Sequence, residues 1–130
     1  RIEVVAADLF PPGRAGLLVC NPPWLPGRAG SPLEAAIYDP DSRMLRGFLA
    51  GAAAHLEPGG EAWLILSDLA EHLGLRAGGQ VESWIAAAGL VVRDRLEARP
   101  RHPKAGDALD PFYKARRLEV TRLWRLAMGS

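Results

Sequence analysis

Two hydrophobic periods alternate along this chain. Ile2–Ala6 and Leu17–Cys20 are short apolar runs bounded by turn residues; the first predicts a strand and the second a buried strand. Between Arg43 and Leu56 the apolar positions are Met44, Leu45, Phe48, Leu49, Ala52, Ala53 and Leu56. That spacing lines one face of a helix. Asp39-Pro40-Asp41-Ser42 supplies its start signal, with Asp41 or Ser42 as the cap, and Pro58-Gly59-Gly60 supplies its stop. Ala62–Leu66 predicts a second buried strand, ending at Ser67-Asp68. Short helices follow at Leu69–Leu75 and Gln80–Ala88, the latter stopped by Gly89.

Leu90–Ala98 starts apolar and then alternates, with Val92, Leu96 and Ala98 set against Arg93, Arg95, Glu97 and Arg99. One wet face means an edge strand. Pro100–Lys114 predicts a polar loop with a helical turn near Leu109, and Leu118–Leu126 a final strand. Leu25–Pro32 is rich in Pro, Gly and Ser and predicts a loop, and Leu33–Tyr38 one or two helical turns. Strands alternating with helices and finishing in two strands predict an α/β, doubly wound sheet that ends in an antiparallel pair.

Asn21-Pro22-Pro23-Trp24 follows the Leu17–Cys20 run directly. Two prolines must end the strand, so the Asn21 amide stands at its carboxyl end on a stiff turn. In open α/β sheets that end of a strand is where ligands bind. The Asn21 side-chain oxygen and the Pro22 carbonyl, aimed at one point, would each accept one hydrogen of an NH2 group. The Trp24 indole offers a flat partner to a planar base or amide. The same four residues also serve as a plain turn, with Trp24 closing over the core; the strand before them and the indole after them favour the chemical reading.

An Asn-Pro-Pro-aromatic run after a buried strand resembles the catalytic motif of the class I, S-adenosylmethionine-dependent methyltransferases that act on amino groups. Ala7-Asp8-Leu9-Phe10 resembles the segment that precedes this motif in that family. The resemblance implies a Rossmann-like sheet in which the strands at Leu17, Ala62, Leu118 and Leu90 lie in that spatial order. It implies Asn21 and Pro22 as the catalytic pair and Pro23 and Trp24 as substrate contacts. Asp8 would meet the adenine amino group of the cofactor, with Leu9 and Phe10 lining the adenine pocket; a turn role for Asp8 and core packing for Leu9 and Phe10 are the alternatives. Substrates of the family are adenine or guanine amino groups in nucleic acid and a glutamine amide in proteins. RNA is favoured among the nucleic acids, and a ribosomal or other protein substrate stands beside it.

The family's glycine-rich cofactor turn and the acidic residue after its second strand have no counterpart in the chain. Gly59-Gly60 and Gly78-Gly79 stand in the wrong places, and Gly13-Arg14-Ala15-Gly16 follows no suitable strand. The resemblance therefore implies the carboxyl-terminal portion of a single methyltransferase domain, spanning residues 1–130, whose first two strands lie upstream. The strand at Ile2 would then lack its neighbours, and its exposed apolar edge would favour a homodimer.

Composition narrows the picture only slightly. Lys and Arg number 16 against 15 Asp and Glu, so global charge calls for no nucleic-acid partner. The basic stretch Arg99, Arg101, His102, Lys104, Lys114, Arg116 and Arg117, with Phe112 and Tyr113, would suit a phosphate backbone, yet Asp107, Asp110 and Glu119 balance it. Arg28 marks a second loop that substrate could touch. Cys20 is the sole cysteine, which excludes an internal disulfide and suits a reducing, cytoplasmic setting. With no His close by in sequence, it reads as a small core residue. His55, His72 and His102 lack ligand spacing, so no metal is expected. Ser67 and Asp68 read first as helix caps and second as substrate contacts, and Glu71 and His72 as solvated. No apolar stretch is long enough for a bilayer, and no membrane partner is expected.

The leading expectation is methyl transfer from S-adenosylmethionine to an amino or amide nitrogen. The alternative is a cofactor-less fragment or degenerate relative serving as a binding or scaffold domain. An RNA-binding module working through the basic stretch is a third and weaker reading.

Overall fold

The computed structural model describes residues 2–25, 38–99 and 113–129. The loop at Leu25–Pro32, the turns at Leu33–Tyr38, Arg28 and most of the basic stretch fall largely or wholly outside them.

The elements are β1 (Ala15–Cys20), α1 (Arg43–His55), β2 (Leu56–Ser67), α2 (Leu69–His72), α3 (Gln80–Ala87), β3 (Leu90–Ala98), α4 (Tyr113–Leu118) and β4 (Thr121–Met128). Among the described residues the strands form one mixed sheet in the order β1-β2-β4-β3. β1 runs parallel to β2, while β4 is antiparallel to both β2 and β3. The α/β class and the strand order are as expected, but among the described residues α1 and α3 pack on the same face, so a sheet wound on both faces is not seen. Among the described residues β3 pairs only with β4, so it is an edge, as its alternating pattern predicts.

Burial follows the two periods. Leu45, Phe48, Leu49 and Ala52 form the inner stripe of α1, and Val81 and Ile85 that of α3. They pack on Cys20, on Ala62, Leu64 and Leu66, and on Trp124, Leu126 and Leu90. Those strand positions alternate and so share one sheet face. The opposite face carries Leu17 and Val19, 48% and 58% exposed, and Leu96 at 52%; β1, at the end of the described sheet, is thus not the buried strand its apolar run predicts. Across its centre runs a charged ladder: Arg125 donates from Nε to Glu61 Oε1 at 2.9 Å and from Nη2 to Oε2 at 3.0 Å, with Asp94 3.8 Å from its Nη1. A second apolar cluster, Leu25, Leu69, Ala70 and Ala115, joins α2 to α4. No helix among the described residues is long and apolar enough to cross a membrane.

Three expectations about the elements are corrected. Ile2–Ala6 forms no strand, and Ile2 and Val4 are over 90% exposed. An apolar run becomes a strand only when a neighbour accepts and donates its backbone bonds, and among the described residues none lies beside it. Pro58-Gly59-Gly60 does not stop α1. The helix ends at His55, and the triplet lies inside β2, where the register jumps from Ala15↔Leu56 to Leu17↔Glu61. The extra residues bulge out of the ladder, and Gly59 takes φ +80° to turn them back. Leu118 ends α4, and the final strand begins at Thr121.

Ser42 holds the N-cap position of α1, as expected, but makes no side-chain cap bond; that contact comes from Asp39. Its Oδ1 accepts from the Met44 amide at 2.9 Å and its Oδ2 from the Leu45 amide at 3.1 Å. Asp41 and Ser42 take φ of 55° and 54°, so the chain folds back and brings the earlier carboxylate over the helix end.

Candidate functional site

Asn21 follows the last residue of β1 and is exposed. Pro22 is buried behind it, while Pro23 and Trp24 are half-buried. The Trp24 ring packs against the main core cluster, and its Nε1–H donates to Asn21 Oδ1 at 3.1 Å. An amide oxygen carries two lone pairs, so one remains for a substrate donor.

The next residues tie the motif to α1. Leu25 is buried and forms a parallel bridge with Tyr38, and its carbonyl accepts from the Asp39 amide at 2.7 Å. Asp39 then caps α1. It is also close enough to Cys20 for its charge to act there. Burial first, and the Asp39 carboxylate second, push the Cys20 thiol up to about 11. A thiol of that acidity is protonated at neutral pH and is a poor nucleophile. Asp39 was legible in the sequence only as part of a helix-start signal; its place between the motif and α1 was not.

Asp8 and Leu9 line a cavity of about 360 Å³ together with Asp39, Pro40, Arg43 and Met44. The cavity therefore opens beside Asp39, whose amide is bonded to the Leu25 carbonyl just after the motif, although Asn21 itself stands outside its wall. The Asp8 carboxylate is almost fully exposed, and Arg43 lies 3.6 Å from it, a contact that water screens. Leu9 takes φ 70°, an uncommon conformation outside glycine. Phe10 lies elsewhere. Its ring stacks on Phe48 at 5.7 Å and on His55 at 4.2 Å, over the helix surface opened by Gly51. The structure thus brings Asp8, Leu9 and the motif to the amino-terminal end of α1 and leaves Phe10 in packing.

A larger cavity, about 570 Å³, lies between α1 and α3, with Arg46 set 5.6 Å over the Trp84 ring. It shares Pro40 and Arg43 with the first.

Ser67 and Asp68 serve structure. The Ser67 hydroxyl accepts from the Leu69 amide at 3.0 Å and donates to Glu119 Oε1 at 2.7 Å. Glu119 is buried, and sequence reasoning assigned it no role beyond charge balance. Asp68 is buried and meets His72 Nε2 at 3.1 Å and Arg122 Nη1 at 3.5 Å. Burial holds the neighbouring Glu71 carboxyl above its usual range. Arg76 is also buried, donating from Nη2 to Ser42 Oγ at 3.2 Å, and burial lowers its pKa. Among the described residues no group of three or more His, Cys, Asp or Glu side chains is placed to hold a metal ion.

Comparison with known proteins adds no family: no protein-family model matches the sequence, and neither does any curated protein.

Proposed function

We propose that this chain carries the substrate-nitrogen half of an N-methyltransferase active site, acting on an amino or amide nitrogen of a nucleic-acid base or of a protein glutamine. One observation carries the reading: the Asn21 amide stands exposed at the carboxyl tip of β1, backed by the buried Pro22 and fixed by the Trp24 indole. The resemblance of Asn21-Pro22-Pro23-Trp24 to the amino-methyltransferase motif supplies the reaction.

In that reading the free lone pair of Asn21 Oδ1 and the Pro22 carbonyl each accept a hydrogen from the target NH2. Holding both hydrogens in one plane turns the nitrogen lone pair out of that plane, toward the methyl donor. Positioning of this kind supplies much of a displacement rate. The two acceptors would also disperse positive charge on nitrogen as its new bond to carbon forms and the donor's carbon–sulfur bond breaks, a neutral thioether leaving. One hydrogen then leaves as a proton to water, so no strong base is needed at the site.

The cavity beside Asp39 fits the adenine end of S-adenosylmethionine in part: Asp8 offers a carboxylate acceptor for an amino group, and Leu9 an apolar wall. That group would supply an electrophilic sulfonium methyl. Phe10, stacked on α1, contributes packing there and no wall.

The test is a transfer screen with the full-length protein. Tritiated methyl from S-adenosylmethionine is offered to RNA, DNA and ribosomal protein. Labelling at a nitrogen in one of these classes supports the reading, and labelling only at carbon or oxygen removes it.

A further inference from the structure

We infer that Trp24 is a positioning residue for Asn21, acting through its indole N–H and not only through its ring face. The inference rests on the N-methyl-transfer reading above and adds a role to a residue otherwise expected only to stack.

The terminal torsion of an asparagine is broad and roughly two-fold, so an exposed amide readily exchanges its two ends. Exchange at Asn21 would put an NH2 donor where the reaction needs an acceptor. The indole prevents it. Nε1–H lies 3.1 Å from Oδ1, and the flipped amide would set donor against donor. The clamp is firm because the Trp24 ring packs on the core cluster, while Asn21 is exposed. Spacing helps as well: the prolines at 22 and 23 restrict the backbone between the two side chains. A phenyl or phenol ring at the same place would stack equally well and leave the amide free to turn.

Trp24→Phe separates the two roles. It keeps the ring and removes the donor. With full-length protein, and with RNA or ribosomal protein as acceptor, whichever the wild type labels, the variant should lose about tenfold in kcat, the worth of one hydrogen bond, with KM nearly unchanged. A ring that only stacks would give wild-type kcat in Trp24→Phe and a raised KM in Trp24→Ala, and that result overturns the inference while methyl transfer stands. A second readout needs no turnover. In the ¹⁵N spectrum the Trp24 indole N–H should be protected from solvent exchange, and Asn21→Ala should shift its resonance and speed its exchange. An indole signal blind to Asn21→Ala also overturns the inference. If the wild type labels no nitrogen at all, the functional reading falls and the positioning role falls with it.

Discussion

Asp68 and Val120 hold each other by two hydrogen bonds. The Asp68 amide donates to the Val120 carbonyl at 3.0 Å, and the Val120 amide donates to Asp68 Oδ1 at 2.7 Å. The pair carries the β2–β4 ladder one step past Ser67↔Thr121, and its second carboxylate oxygen gathers His72 and Arg122. It pins the carboxyl end of β2, at the same end of the sheet as the tip of β1 that bears Asn21.

Asp68→Ala should therefore destabilise the fold by about 2–3 kcal/mol, because it leaves the Val120 amide without its charged acceptor. Asp68→Asn keeps an oxygen for that amide and should cost less. Urea unfolding of the two variants measures the difference. Equal losses would mean that the ion contacts to Arg122 and His72, not the clasp, carry the stability.

Acid stability should trace to Glu61. The hydrogen bonds from Arg125 first, and from the Trp63 indole second, lower its carboxyl from 4.5 to about 2. The unfolded chain takes up this proton near pH 4.5 and the folded chain near pH 2, so between those values stability rises with pH. The contribution is complete above pH 4.5 and is lost as pH falls through about 2. Glu61→Gln should be less stable than wild type at neutral pH, and the gap should close across that window. Denaturant midpoints taken along a pH series read it directly; a gap that stays constant with pH would remove the ion pair as its source.

Two glycines should answer differently to alanine. A Cβ at Gly60 would lie 2.9 Å from the Gly16 carbonyl and 3.0 Å from that of Glu57, and backbone cannot step aside. Gly60→Ala should cost about 1–3 kcal/mol by overpacking. A Cβ at Gly47 would lie 2.6 Å from Leu9 Cδ1, the far end of a flexible side chain. Helix propensity there offers about 1 kcal/mol in return, so Gly47→Ala should be close to neutral. Thermal melts of both variants check the pair.

Much of this was legible in the sequence wherever local pattern and local structure agree. β3 has the predicted bounds Leu90–Ala98, and α3 differs from prediction by a single residue, because alternation, helical spacing and Gly89 are local signals. The misreadings come from contacts between distant residues. Pro58-Gly59-Gly60 looks like a helix stop until Gly60 is seen passing under the Ala15 and Gly16 carbonyls. Ile2–Ala6 has the composition of a strand, but a strand is a property of pairs. At the site, the position of Asn21 followed from two prolines after an apolar run. The link through Leu25 and Asp39 to α1 did not, because it depends on the left-handed turn at Asp41 and Ser42. Nor did the packing of Phe10, since a ring in that position reads equally as cavity wall or core.

The central claim is that the Asn21 amide grips the nitrogen that receives the methyl group, and Asn21→Ala in the full-length protein tests it most directly. Methyl transfer from tritiated S-adenosylmethionine and cofactor affinity by calorimetry are measured on the same preparation. The account predicts transfer reduced by at least about a hundredfold, with cofactor affinity within about twofold of wild type, as expected for a group that acts mainly in the transition state. Turnover retained at the wild-type rate would contradict it.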